Sequence, residues 1–224
     1  MRILIINPNS DEEMTQVILR NARAYADGMF EVDCIPNVTA PPFIVTYSDI
    51  AATTEGMLQI LRENEEKYDA FLVGCHGDPN LDLLREVTDK LVIGIGEASM
   101  KIASMLGHKF TILSPGDRGM PNKEVLIQRY HLENYVASIV SSNQGGIDWQ
   151  SKEPLIRAGK LAMERDGCEV IVLGCAGLGH IAADLEAELG IPVLDSVTCG
   201  LILAEGLVRR GWAQSKRWRF RKGI

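Results

Sequence analysis

The sequence predicts an α/β fold of two pseudo-symmetric, Rossmann-like lobes, each a four-stranded parallel sheet flanked by helices. Three observations predict it. Apolar runs of four to six residues, rich in Ile, Val and Leu, alternate along the chain with longer stretches of helical periodicity. Those runs are apolar almost without interruption, as in parallel strands covered on both faces. The chain also matches itself, in order, three times. Phe71-Leu72-Val73-Gly74-Cys75-His76-Gly77 reads like Ile171-Val172-Leu173-Gly174-Cys175-Ala176-Gly177 at an offset of 100. Leu91-Val92-Ile93-Gly94 reads like Pro192-Val193-Leu194-Asp195 at 101, and Ile5-Ile6-Asn7-Pro8 like Ile112-Leu113-Ser114-Pro115 at 107. Self-similarity repeated in order points to internal duplication.

The expected strands are Arg2–Ile6, Phe30–Ile35, Ala70–Gly74, Leu91–Ile95, Lys109–Leu113, Tyr135–Val140, Glu169–Gly174 and Pro192–Asp195. Helical patterns fill 11–26, 49–66, 80–88, 97–106, 119–130, 151–166, 179–189 and 197–210. Ser10-Asp11-Glu12-Glu13 fits a capping box for the first helix. Asp78-Pro79 supplies an N-cap acid followed by a proline at the first helical position. The loop Asn37–Tyr47, with consecutive prolines Pro41 and Pro42, is long enough to suggest a functional segment. Eight strands divide four and four near residue 97. The first lobe is expected over 1–97, completed by the C-terminal segment 206–224, and the second over 98–205.

Composition narrows the function. The 224 residues are 46% hydrophobic and 24% charged, which excludes a disordered, collagenous or coiled-coil chain. No stretch approaches the roughly 18 apolar residues of a membrane helix, and the apolar start is too short for a signal peptide. Five cysteines, an odd number, do not suggest a secreted disulfide framework, so a cytoplasmic location is expected. The net charge is −7, yet residues 216–224 hold five of the 23 basic side chains and none of the 30 acidic ones. The remainder carries a balance of −12, which disfavours nucleic acid as a partner. In the tail, Trp218 and Phe220 interleave with the charges. The expectation is a segment docked by its two aromatics, with an anion or partner site as the alternative.

The chemistry concentrates in the two Gly-Cys-x-Gly segments. In open parallel sheets, ligands bind beyond the carboxyl ends of the strands, where both segments fall. Gly74 and Gly174 permit the turn; Gly77 and Gly177 leave main-chain N–H groups open to a substrate. A cysteine at a helix N-terminus is expected to have a lowered pKa. Duplication would set the two thiols opposite each other across a cleft between the lobes, the active site. Inverting a stereocentre beside a carbonyl needs a base on one face and an acid on the other, exchanging roles in the reverse direction. Cys75 and Cys175 supply such a pair. Cys34, Cys168 and Cys199 read as small buried hydrophobes. No C-x-x-C spacing favours a zinc site, and a Cys75–Cys175 disulfide is disfavoured in a reducing compartment.

Asn7-Pro8-Asn9-Ser10, the GCHGDPNLDLLRE segment at 74–86, GIGEA at 94–98 and LGCAGLG at 173–179 resemble the aspartate/glutamate racemase superfamily, closest to its hydantoin and allantoin racemase branch. The resemblance runs over almost the entire chain. It implies a racemase without cofactor or metal, acting on a small-molecule substrate with a hydantoin-like ring, with Cys75 and Cys175 as the acid/base pair. It further implies that Asn7, the Pro42-Phe43-Ile44 loop, His76, Gly77, Ser114, Ala176 and Gly177 line the substrate pocket, and that the protein is a homo-oligomer. Three departures bear on the substrate side group: His76 after the first cysteine, Asn80 where the branch carries glycine, and Phe43-Ile44-Val45-Thr46 in the loop.

Other signals are weaker. Gly94-Ile95-Gly96-Glu97-Ala98-Ser99 lacks the third glycine of a dinucleotide fingerprint and reads as a close strand–helix turn. Asp195 either orients the substrate or caps the next helix. His180 stands five residues after Cys175, as a surface residue or a proton partner of the thiol. Met100 and Met105 read as core fillers. Arg118 and Lys123 lie further along the second lobe, away from the turns, which favours an uncharged ring over amino-acid racemisation, maleate-type isomerisation or arylmalonate-type decarboxylation. A non-catalytic binding or redox-sensing protein is the alternative outside catalysis.

Overall fold

A computed structural model describes residues 1–142 and 152–223. The chain divides into two compact units, Met1–Ile95 with Gly200–Ile224, and Gly96–Cys199.

The first unit is built on β1 (Arg2–Asn7), β2 (Glu31–Pro36), β3 (Ala70–Val73) and β4 (Leu91–Gly94), all parallel, in the order β2-β1-β3-β4. The second repeats that plan with β5 (Phe110–Ser114), β6 (Val136–Ser141), β7 (Val170–Leu173) and β8 (Val193–Leu194), ordered β6-β5-β7-β8. All eight predicted strands are present. The central strands carry buried apolar runs: Ile3 to Ile6, Ala70 to Val73, and Val170 to Leu173 are fully buried. Each strand presents alternate side chains to opposite faces, so a continuous apolar run is what a sheet covered on both faces requires.

Helices α1 (Glu12–Ala26), α2 (Tyr47–Ala52), α3 (Thr54–Asn64), α4 (Leu81–Val87), α5 (Ile95–Leu106), α6 (Met120–Arg129), α7 (Glu153–Asp166), α8 (Ala182–Leu189) and α9 (Ser196–Arg210) follow the strands among the described residues. In the second unit, α7 and α8 lay Leu155, Ala158, Ala162, Leu185 and Leu189 on one sheet face, with Ile171, Leu173 and Val193. Met100, Ala103, Leu126 and Ile127, from α5 and α6, cover the other face with Phe110, Ile112, Val170 and Val172.

Several local expectations are corrected. The cap of α1 is Asp11, not Ser10: its carboxylate accepts from Met14 N at 2.8 Å, while Ser10 N bonds Pro41 O. The pattern over 49–66 is two helices. The first starts early, under a capping box between Thr46 and Asp49, and the two are separated at Thr53, whose hydroxyl turns back to Ile50 O at 2.8 Å. Helical period alone does not reveal a threonine that competes for a carbonyl. Helix α5 begins at Ile95, directly after β4 and two residues before the expected start. The segment 176–181 is a 3-10 helix that precedes α8, and β8 has only two residues. The first residue of the expected helix 151–166 lies outside the described residues.

The tail docks differently from the expectation. Trp218 is 90% exposed, whereas Lys216 Nζ donates to the backbone carbonyls of Arg85 and Glu86. Lys222 pairs with Asp89 at 2.6 Å, and the Arg85 guanidinium lies over the Phe220 ring. Of the two methionines, Met100 is buried and Met105 is 82% exposed. No helix among the described residues is long and apolar enough to cross a membrane.

Candidate active site

Cys75 and Cys175 occupy equivalent turns, one in each unit. Gly74 N donates to Ile6 O at 2.8 Å, and Gly174 N donates to Leu113 O at the same distance. A β-carbon built on Gly74 would lie 2.9 Å from Ile5 Cγ2 and 3.2 Å from Ile6 O. On Gly174 it would lie 2.8 Å from Leu113 O and 3.1 Å from Ile112 Cγ2. Glycine is therefore required in each turn by the neighbouring central strand, and the matching Ile5-Ile6 and Ile112-Leu113 dipeptides are those neighbours. Each cysteine then closes a short loop with its own carbonyl, which accepts from Asp78 N at 3.0 Å in the first unit and from Leu178 N at 3.2 Å in the second. Both cysteines are partly exposed while their glycine predecessors are buried.

In the first unit, Asn7 ends β1 beside this turn: its Cα would be 3.6 Å from a Gly74 β-carbon. The Asn7 amide is engaged locally, donating to Asn9 Oδ1 and Thr15 Oγ1, both at 2.8 Å. The loop carrying Phe43 and Ile44 is tied to the same rim. Asn37 N donates to Asn7 O at 2.9 Å, and Ser10 N to Pro41 O. Phe43 is 41% exposed, His76 is buried, and Gly77 places its missing β-carbon 3.7 Å from Cys75 Sγ. A β-carbon added at Gly77 would meet the sulfur in ordinary van der Waals contact.

Asp78 does not cap a helix beginning at Pro79. It is buried with φ +44°, and α4 starts only at Leu81, after Asn80 with φ +56°. That left-handed conformation accounts for a position where glycine suits the backbone. Asn80 tolerates it and uses its side chain: Nδ2 donates to Thr53 Oγ1 at 2.8 Å, and Oδ1 accepts from Thr54 Oγ1 at 3.2 Å. A β-carbon on Gly94 would sit 2.5 Å from the Asp78 carboxyl carbon. The first glycine of the GIGEAS segment is thus matched to a carboxylate of the chain itself.

In the second unit, Ser114 is buried at the end of β5, with Oγ donating to Gly116 O at 2.8 Å. Ala176 and Gly177 are buried in the 3-10 helix. Asp195 serves as a cap for α9, accepting from Val197 N and Thr198 N at 3.1 Å and from Thr198 Oγ1 at 2.7 Å. His180 is exposed, its Nδ1 3.0 Å from Gly177 O. Glu97 pairs with Lys101 on α5. His108 and His131 lie just beyond helix ends; His131 carries φ +57° and His108 N donates to Glu169.

The electrostatics at Cys175 reverse the expectation of a lowered pKa. Burial pushes the thiol up, against the Gly177 N–H and the charge of Lys123, which favour the thiolate. Helix-end dipoles are readable in a sequence, but desolvation is not. Lys123 is also nearer than its sequence position suggested. It is buried, and its Cε lies 2.5 Å from where a Gly174 β-carbon would be. Its signal was hidden because Lys123 and Gly174 are far apart in sequence and meet only when α6 packs beside β7. All five cysteines are free thiols.

Comparison with known proteins agrees along the full chain. The profile of the Asp/Glu/hydantoin racemase family matches residues 3–204. The hydantoin racemase of Pseudomonas sp. (strain NS671) is 36% identical over 222 residues, covering 96% of this chain and 89% of its own. That of Paenarthrobacter aurescens is 34% identical over 229 residues, covering 99% and 97%. The structure of allantoin racemase from Klebsiella pneumoniae superposes with a TM-score of 0.94 at 31% identity, over 100% of this chain and 94% of that one. Arylmalonate decarboxylase, at 18% identity and a TM-score of 0.67 over 95% of this chain and 94% of its own, shares the fold. The chain belongs to the Asp/Glu/hydantoin racemase family and is a racemase, an enzyme of the isomerase class.

Proposed function

We propose that this racemase inverts a stereocentre next to a ring carbonyl, on a 5-substituted hydantoin or on allantoin, by proton transfer between two thiols and without a cofactor. The observation that carries this reading is the pair of equivalent Gly-Cys-x-Gly turns at the carboxyl ends of corresponding strands, each with a partly exposed cysteine. Similarity to hydantoin racemases at 32–36% identity, and to allantoin racemase structures, supports the substrate class.

The chemistry follows from the substrate carbon. A C–H bond flanked by a ring carbonyl ionises to a carbanion delocalised onto oxygen, and no carboxylate opposes that charge. One cysteine, as thiolate, removes the proton. The other, as thiol, delivers its own to the opposite face, and the roles exchange for the reverse reaction. Burial favours the protonated form of Cys175, which makes it the ready donor. Main-chain N–H groups around His76, Gly77, Ala176 and Gly177 would receive the developing oxyanion. Asn7, Phe43, Ile44 and Ser114 would complete the lining, with the exposed Phe43 selecting the ring substituent. The free thiols suit a cytoplasmic setting, and a homo-oligomer is carried over from the family resemblance.

A second reading is favoured by one observation. Lys123, buried against Gly174, brings a cation near the second turn, which would suit an anionic substrate such as aspartate, glutamate or maleate, or an arylmalonate-type decarboxylation. Chiral chromatography of allantoin, alkyl and aryl hydantoins, aspartate, glutamate and maleate separates the two, with assay of decarboxylated product from an arylmalonate. Racemisation of a hydantoin or allantoin with the acids untouched is the expected result. Turnover confined to the acids would overturn the ring assignment.

A further inference from the structure

We infer that Lys123 is a positioning residue for Cys175, its buried ammonium group holding the negative charge left on sulfur when Cys175 delivers its proton. The inference rests on the acid/base role proposed above for Cys175. A lysine is rarely buried unless a charge or polar group makes use of it. Lys123 stands on α6, and its stem fills the space that the missing side chain of Gly174, the residue before Cys175, leaves open. A β-carbon built on Gly119 would be 3.5 Å from Lys123 Nζ and 3.4 Å from Ser114 Oγ, so the head group lies near the end of β5. At Gly74, the equivalent position in the first unit, the corresponding neighbours are Ile5, Ile6 and Asn7, none of them charged.

Among the described residues, the other charged or titratable groups on the elements that meet here are Asp117 and Arg118 of the short 3-10 helix Asp117–Gly119, Glu124 and Arg129 of α6, and His180 after the turn. All five are exposed, whereas Lys123 is buried. Asp195 is buried, but it faces the α9 N-terminus. Lys123 is the charge that bears on Cys175, in the direction that favours the thiolate. In the proposed step, the S–H bond of Cys175 breaks as a C–H bond forms at the carbanion, and the electron pair stays on sulfur. Lys123 remains protonated throughout. A thiolate formed in a buried site is costly without such a countercharge.

The test reads the thiol itself and needs no substrate. In a Cys75→Ala background, iodoacetamide modification of Cys175 is followed from pH 6 to 11 by peptide mass spectrometry, for the parent, K123M and K123R. K123M is expected to move the inflection up by about one pH unit and slow modification about tenfold at pH 8, while K123R stays within about threefold of the parent. Superimposable profiles for parent and K123M would overturn the inference. Rapid modification of the buried Cys168 and Cys199 would reveal an unfolded K123M. The coupling is then read from the other partner, by NMR of 13C-lysine protein. The Lys123 resonance should show an inflection as Cys175 ionises, absent from the additional Cys175→Ser variant; an identical titration in both would overturn the inference. Failure of every substrate in the racemase panel would leave these outcomes standing, so the two readings fail separately.

Discussion

The two cysteine turns have the same backbone and different surroundings. Both place glycine against a central-strand carbonyl, and both let the cysteine carbonyl accept from the residue three positions on. In the first unit that residue is Asp78, a buried carboxyl packed into the space at Gly94, where α5 begins. In the second it is Leu178, part of an apolar core, and the carboxylate comes from Asp195, the counterpart of Gly94. Each unit thus keeps one buried carboxyl group where its fourth strand gives way to a helix, taken from a different segment. The comparison teaches that the two units match in the position of the thiol, whereas their buried carboxyl groups come from different segments. The surroundings of Cys75 and Cys175 therefore differ although their turns match.

The largest effect expected from breaking the comparison is on turnover. Cys75→Ala and Cys175→Ala should each lower kcat for racemisation by at least about 10³-fold, in the upper part of the range for acid–base groups. Circular dichroism should show both variants folded, since each removes one small atom from a partly exposed residue. A loss confined to one variant would reduce the pair to a single catalytic cysteine, as a decarboxylase mechanism needs.

Next comes the carboxyl swap. Gly94→Ala drives a β-carbon to within 2.5 Å of the Asp78 carboxyl carbon and should cost about 2–3 kcal/mol in urea unfolding. Adding Asp78→Gly should recover part of that loss, because the colliding group is gone. Additive costs would mean that the two positions do not share one space.

The smallest effect is a slope. Burial, with the nearby charge of Asp195, raises the Cys199 thiol from 9.0 to about 12. Between those values the folded chain keeps a proton that the unfolded chain has lost, so stability falls as pH rises through this window, by up to about 1.4 kcal/mol per pH unit. Cys199→Ala should flatten the fall between pH 9.5 and 11 by about 1 kcal/mol per unit, read as urea midpoints at successive pH values. An unchanged slope would contradict the assignment.

The alternation of strand and helix was legible because uninterrupted Ile, Val and Leu runs have few other uses, and the doubled motif made the two-sheet plan readable. Local chemistry was less so. Asp78-Pro79 has the composition of a helix start, but the carboxyl is drawn into tertiary packing against Gly94, a partner the local sequence does not name. Thr53 divides one helical pattern in two through a hydroxyl bond that periodicity does not register. At the candidate site, the glycine–cysteine turns stood out in the sequence. Lys123 and the direction of the Cys175 shift did not, since both depend on which groups folding removes from water.

The most direct measurement follows the single hydrogen of the stereocentre in each enantiomer separately. An enantiopure hydantoin is incubated in D2O with Cys75→Ala or Cys175→Ala protein, and deuterium in the recovered enantiomer is read by mass spectrometry. Each variant should exchange one enantiomer without racemising it, and the two variants should choose opposite enantiomers. Exchange of the same enantiomer by both, or full racemisation by either, would contradict a mechanism in which one sulfur serves each face of the carbon.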